Sequence, residues 1–99
     1  MVRGTTVQFI YTLDFDVSAV KDARITVSQN NKPIIDKELC NCKMEGMQIV
    51  ADLTQEETLK LSVGKAEVQL KVLFHDAKVA ATAIDYIDVK PILNKEVLS

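Results

Sequence analysis

The stretch Ala66-Glu67-Val68-Gln69-Leu70-Lys71-Val72-Leu73-Phe74 constrains the fold more than any other part of this chain. Successive side chains of an extended strand point to opposite faces, so Ala66, Val68, Leu70, Val72 and Phe74 share one side while Glu67, Gln69 and Lys71 share the other. The segment builds a sheet with one dry face and one wet face.

The same alternation recurs along most of the sequence. From Thr5 to Leu13 it sets Val7, Phe9, Tyr11 and Leu13 inward against Thr6, Gln8 and Thr12, with Ile10 left on the outer face. Asp14 to Ser18 carries turn formers around Phe15 and reads as a connection between sheets. Ala23 to Gln29 alternates again, and Asn30-Asn31-Lys32 ends it, because Asn tolerates positive φ. Pro33 to Leu39 returns as an edge strand, since Pro cannot donate to a ladder and Asp36, Lys37 and Glu38 suit a solvated margin. Cys40 to Gly46 is looser. Met47 to Leu53 places Met47, Ile49, Ala51 and Leu53 on one face.

After Leu53 the period changes. Thr54-Gln55-Glu56-Glu57 has the form of a capping box, in which a Thr hydroxyl and a Glu carboxylate satisfy unpaired amides at a helix start. A short helix follows, ending by Gly64, with Leu59 and either Leu61 or Val63 reaching the core. His75 to Lys78 turns the chain into a last strand from Val79 to Val89. There Val79, Ala81 and Ala83 mark one parity and Ile84 and Tyr86 the other, which a bulge near Ala83 to Asp85 would reconcile. The expected fold is all-β: an immunoglobulin-like antiparallel β-sandwich of about six or seven strands with one helical turn near Thr54–Lys60, in a single domain over residues 1–99. The buried Trp and paired Cys of antibody domains are absent.

With 47% hydrophobic and 26% charged residues, the chain has neither the low hydrophobicity nor the high net charge of a disordered one. A formal charge of -2 offers no electrostatic footprint for nucleic acid. No apolar segment approaches the length that spans a bilayer, and Met1 to Thr6 lacks the apolar run of a signal peptide. The expected location is the cytosol of the producing cell, or a larger particle assembled there.

No residue constellation announces a chemistry. Cys40 and Cys42 supply at most half of a tetrahedral zinc site, and the one His, His75, falls in a hairpin turn. Along an extended backbone the two Cβ atoms stand too far apart for the roughly 3.8 Å of a disulfide. His75-Asp76 resembles a base with an orienting carboxylate, but neighbours in a hairpin diverge and no nucleophile can be set against them. The acidic pairs Asp14/Asp16 and Asp85/Asp88 lack the Gly-bearing loop and further carboxylates of a calcium site. Met44 and Met47 are too few for a flexible recognition surface. No catalytic residue, metal ligand or cofactor is expected.

Four stretches carry a family resemblance: Val2-Arg3-Gly4-Thr5-Thr6 with Leu13-Asp14-Phe15-Asp16 soon after, Leu53-Thr54-Gln55-Glu56-Glu57-Thr58-Leu59, Gly64 to Leu73, and Leu93-Asn94-Lys95-Glu96-Val97-Leu98. In these the chain resembles short proteins of tailed phages and prophages of Gram-positive and gut bacteria, similar in architecture to the N-terminal immunoglobulin-like domain of baseplate upper proteins. Where that family mostly carries Pro after the Thr pair, this chain has Val7. The resemblance implies a non-catalytic structural or assembly module of a tail or baseplate. Its partners would be phage structural proteins or further copies of itself, and it would reside in the host cytoplasm during assembly and in the virion. The alternative is an adhesion or carbohydrate-binding module, against which the core parity of most of the two Tyr and three Phe counts.

Two surfaces are expected to carry such contacts. One is the edge strand, through Pro33, Ile34, Asp36 and Glu38, because strand edges recruit partners by main-chain hydrogen bonds. The other is the tail, where Ile92, Leu93, Val97 and Leu98 lie past the last strand and must dock on the domain or on a neighbour.

Overall fold

A computed structural model describes residues 1–38 and 42–98. In chain order the strands are β1 (Val7–Thr12), β2 (Val20–Gln29), β3 (Lys32–Glu38), β4 (Cys42–Glu45), β5 (Gln48–Leu53), β6 (Gly64–Phe74), β7 (Val79–Ala81) and β8 (Asp85–Val89). A 3-10 turn at Val17–Ala19 precedes β2, and the helix α1 (Gln55–Leu59) links β5 to β6. They form two antiparallel sheets, one ordered β1-β5-β4 and the other β3-β2-β6-β7, with β8 also on β6.

β6 is the spine of the larger sheet, and its alternation is realised as read. Ala66, Val68, Leu70 and Val72 are buried, Phe74 is half-buried edge-on against Phe15, and the intervening polar residues lie on the opposite face. Register carries the dry face across to β2, where Ile25 stands opposite Leu70 and Val27 opposite Val68. Ile49, Ala51 and Leu53 of β5 close the core from the smaller sheet. This is an immunoglobulin-like β-sandwich.

Local chemistry explains the turns. Asn30 and Asn31 both take positive φ, 52° and 63°, which is what a two-residue hairpin between Gln29 and Lys32 requires. Asp16 caps the 3-10 turn by accepting the Ser18 amide, and that bond holds its carboxyl below the usual range. The capping box at α1 is complete: Thr54 Oγ1 accepts the Glu57 amide, and Glu57 Oε1 accepts the Thr54 amide.

Several expectations are corrected. Cys42 to Glu45, read as loose, is a strand, because it folds back on β5 through a turn at Gly46-Met47; Met47 is therefore exposed, not inward. Thr58 and Leu61 plug the core beneath α1, whereas Leu59 is half-buried and Val63 exposed. The last strand is two strands on one edge of β6, with Thr82 to Ile84 unpaired between them as ladder. Across that break parity switches, so Val79, Ala81 and Tyr86 all share the outer face.

Lys37 is the largest departure. It faces inward, opposite Ile25, with its side chain only 14% exposed, and its Nζ lies 2.8 Å from Glu57 Oε1. Burial alone would raise the Glu57 pKa. The hydrogen bonds from Lys37 and Thr54, with the lysine charge, outweigh that and hold the carboxylate below its ordinary value.

Candidate interaction surfaces

β3 forms one end of the larger sheet's strand order, as expected of an edge. Pro33 is exposed and stands opposite Ser28, beside a register shift, so the missing N–H costs no regular ladder bond. Asp36 and Glu38 are exposed on the outer face, where the Arg24 guanidinium lies 3.2 Å from Asp36 and 3.5 Å from Glu38. Thr26 Oγ1 also donates to Asp36. At the register shift Ile34 is half-buried and packs against the core, so it presents less of its side chain than exposed Pro33, Asp36 and Glu38. Leu39, at the end of the expected strand, lies outside the described residues.

The tail is anchored at two points. Ile92 is half-buried: a Cβ built on Gly4 would come within 3.3 Å of Ile92 Cδ1 and 3.0 Å of Leu59 Cδ2. Gly4 has φ +79°, so this close approach and the backbone both favour glycine there. At the far end Gln55 grips one residue's backbone, its Nε2 donating to the Leu98 carbonyl at 2.7 Å and its Oε1 accepting the Leu98 amide at 2.9 Å. Between these anchors Leu93 is fully exposed and Val97 40% exposed, and Leu98 itself is 68% exposed.

The N-terminal loop meets α1 from the other side. Arg3 sends Nε to the Leu61 carbonyl and Nη2 to the Leu59 carbonyl, both at 2.7 Å, and so satisfies acceptors at the helix C-terminal end. Thr58 Oγ1 accepts the Gly4 amide and donates to the Thr5 carbonyl. Arg3 and Lys90 are joined by a main-chain bond, which brings the start of the chain alongside the end of β8. Three of the segments that carry the resemblance thus meet at one end of the sandwich. The cause is topological: β1 starts there, β5 and β8 finish there, and the crossover through α1 closes it. No periodicity could have indicated this, because each partner is more than forty residues from the other.

Grooves flank the Gln55 side chain. One of about 530 Å³ runs along Thr6, Asp52 to Glu56 and Val97; another of about 310 Å³ is lined by Gly4, Gln55, Ile92, Asn94 and Leu98 among others. They share Thr6 and Gln55. α1 also receives Lys37 from β3 on Glu57, so both expected surfaces attach to this short helix.

The residues weighed for chemistry are occupied otherwise. Asp76 accepts the Lys78 amide in a turn with Ala77 at φ 69°, and exposed His75 donates its main-chain amide to Ala19. Asp85 and Asp88 fall on opposite faces of β8, opposite Val68 and Lys65 respectively. Burial pushes the Tyr11 phenol up, and the Asp85 carboxylate adds to the shift. Cys40 lies outside the described residues. Among the described residues no three His, Cys, Asp or Glu side chains cluster as a metal site, and no helix is long and apolar enough to cross a membrane.

No family model matches the chain, and a search of curated proteins finds no match either. Among solved structures it is similar to CopC from Methylosinus trichosporium OB3b, with a TM-score of 0.60 and 15% identity over 94% of this chain and 85% of that one. At that identity the likeness is one of fold, and it bears out the immunoglobulin-like sandwich.

Proposed function

We propose that this chain is a structural or assembly module of a tailed phage or prophage, associated with the tail or baseplate, that acts through protein-protein contacts and performs no catalysis. One observation carries this reading: Arg3 and Thr58 tie the N-terminal loop to the α1 end, Gly4 and Gln55 seat the tail there, and what is held is a row of exposed apolar side chains, Leu93, Val97 and Leu98. Such groups are a liability on a free protein and an asset at an interface. The β3 edge, with Pro33 near its start and Asp36 on its outer face, adds a second contact strip. Assembly in the host cytoplasm followed by residence in the virion accords with such a role.

The adhesion or carbohydrate-binding reading rests on Tyr86, an aromatic ring 61% exposed. Lys65 Nζ already sits 5.3 Å from its centroid, and a single stacking platform is thin support for a sugar site. The test is co-sedimentation with purified tail particles. Full-length protein is expected to pellet with them, and a Leu93→Asp, Leu98→Asp variant of unchanged melting temperature is expected to stay in the supernatant. A full-length protein never found with particles would overturn the reading.

A further inference from the structure

Gln55 grips main chain, not a side chain. Its amide donates to a carbonyl and accepts an N–H of the same residue, Leu98, which is all that an extended segment needs to offer. The fold uses the same device internally, where buried Gln29 makes the equivalent pair of bonds with the Ser62 carbonyl and amide. In the core that device fixes a loop permanently. At the surface it holds the exposed Leu98 end of the tail.

The tail has few contacts with the body. Val89 is the last buried residue among those described, exposed Pro91 lies beyond it, and from there the described contacts with the body lie at Ile92 and at the Leu98 end. The middle is exposed, and its one described hydrogen bond is local, from the Glu96 amide to Asn94 Oδ1. We infer that the Gln55 groove is an exchange site that accepts the residue 92–98 tail of a second copy of this chain in place of its own. The occupant is named by what sits there: this tail supplies both the Ile92 side chain that fits over Gly4 and the peptide that fits Gln55, and every copy carries an identical one. Exchange rests on reading the α1 end as a contact surface, and it would link copies without any new complementary surface. Because a short tether confers an effective concentration on the order of millimolar, exchange competes when copies are crowded to about that level, as in a ring or tube.

The test needs only this protein, so its failure and a failure to co-sediment with particles are separate results. Two full-length variants are mixed at about 1 mM. Gln55→Ala has a tail held only at Ile92 and a groove that cannot grip Leu98; Ile92→Ser with Leu98→Pro has an intact Gln55 and a tail that has lost the Ile92 contact and the Leu98 N–H. With the second isotope-labelled, the Gln55 side-chain amide and the Gly4 amide are expected to shift saturably on adding the first, and not on adding a chain that carries all three substitutions. In parallel, an equal mixture of labelled and unlabelled wild-type protein is expected to give intermolecular contacts between Gln55 and Leu98. Absence of both the shifts and the intermolecular contacts at that concentration would overturn the proposal, and the wild-type measurement decides it if either variant fails to fold.

Discussion

Leu70 and Glu67 lie three residues apart on β6 and have opposite surroundings. Leu70 is fully buried opposite Ile25, while Glu67 shares the outer face with Ser28 and Tyr86. Leu70→Ala is therefore expected to cost about 2 to 5 kcal/mol of stability by chemical denaturation. Glu67→Ala should stay within about 0.5 kcal/mol. Equal losses would mean that the two faces of the sheet are not as described. Lys37 and Glu57 make a pH-dependent contribution whose sign follows from the direction of the Glu57 shift. A carboxyl whose folded pKa is depressed stabilises fully above its unfolded value and loses that stabilisation as pH falls through the folded one. The loss should begin near the ordinary glutamate value of 4.5 and continue below it. Lys37→Met removes a main cause of the depression, so its melting temperature should fall less steeply with acid than that of the wild type. Parallel acid slopes for the two proteins would show that the contact does not form.

At the scale of elements, the break between β7 and β8 is stitched by one residue. The Thr82 amide donates to the Leu70 carbonyl, its Oγ1 accepts the Leu70 amide, and its carbonyl accepts from Gln69 Nε2. Thr82→Val keeps the shape and removes the acceptor, leaving the Leu70 N–H unpaired in the middle of β6 at a cost of about 1 to 3 kcal/mol. Hydrogen exchange at the Leu70 amide should accelerate in that variant, and unchanged exchange would contradict the stitch. This break was legible in the sequence as a conflict of parity between Ala83 and Ile84, since a two-residue period cannot change phase inside one ladder. The capping box at Thr54 was legible as well, because its partners are three residues apart. β4 was not: its four residues alternate, but Met47, which the periodicity of Met47, Ile49, Ala51 and Leu53 assigns to the next strand, forms the turn with Gly46. Lys37 was misjudged for a related reason. Parity places it inward, and only a distant carboxylate on α1 makes an inward lysine acceptable.

At the scale of the whole molecule, strand alternation defines two sheets and a core, yet it leaves open which loops meet. The end where β1 begins, α1 crosses and β8 gives way to the tail is fixed by topology, and through it residues as distant as Gln55 and Leu98 become neighbours. The four apolar residues past the last strand were conspicuous in the sequence. That Ile92 is spent on the domain while Leu93, Val97 and Leu98 remain presented could be learned only from the fold. This end is the proposed contact surface. Hydrogen-deuterium exchange of the full-length protein, alone and in the presence of purified tail components, tests it most directly. Slowed exchange on binding is expected to concentrate in residues 3–6, 54–59 and 92–98, with β3 as the second protected strip; binding that protects neither, or protection confined to the far end of the sandwich around His75 to Lys78, would show that the contact surface lies elsewhere.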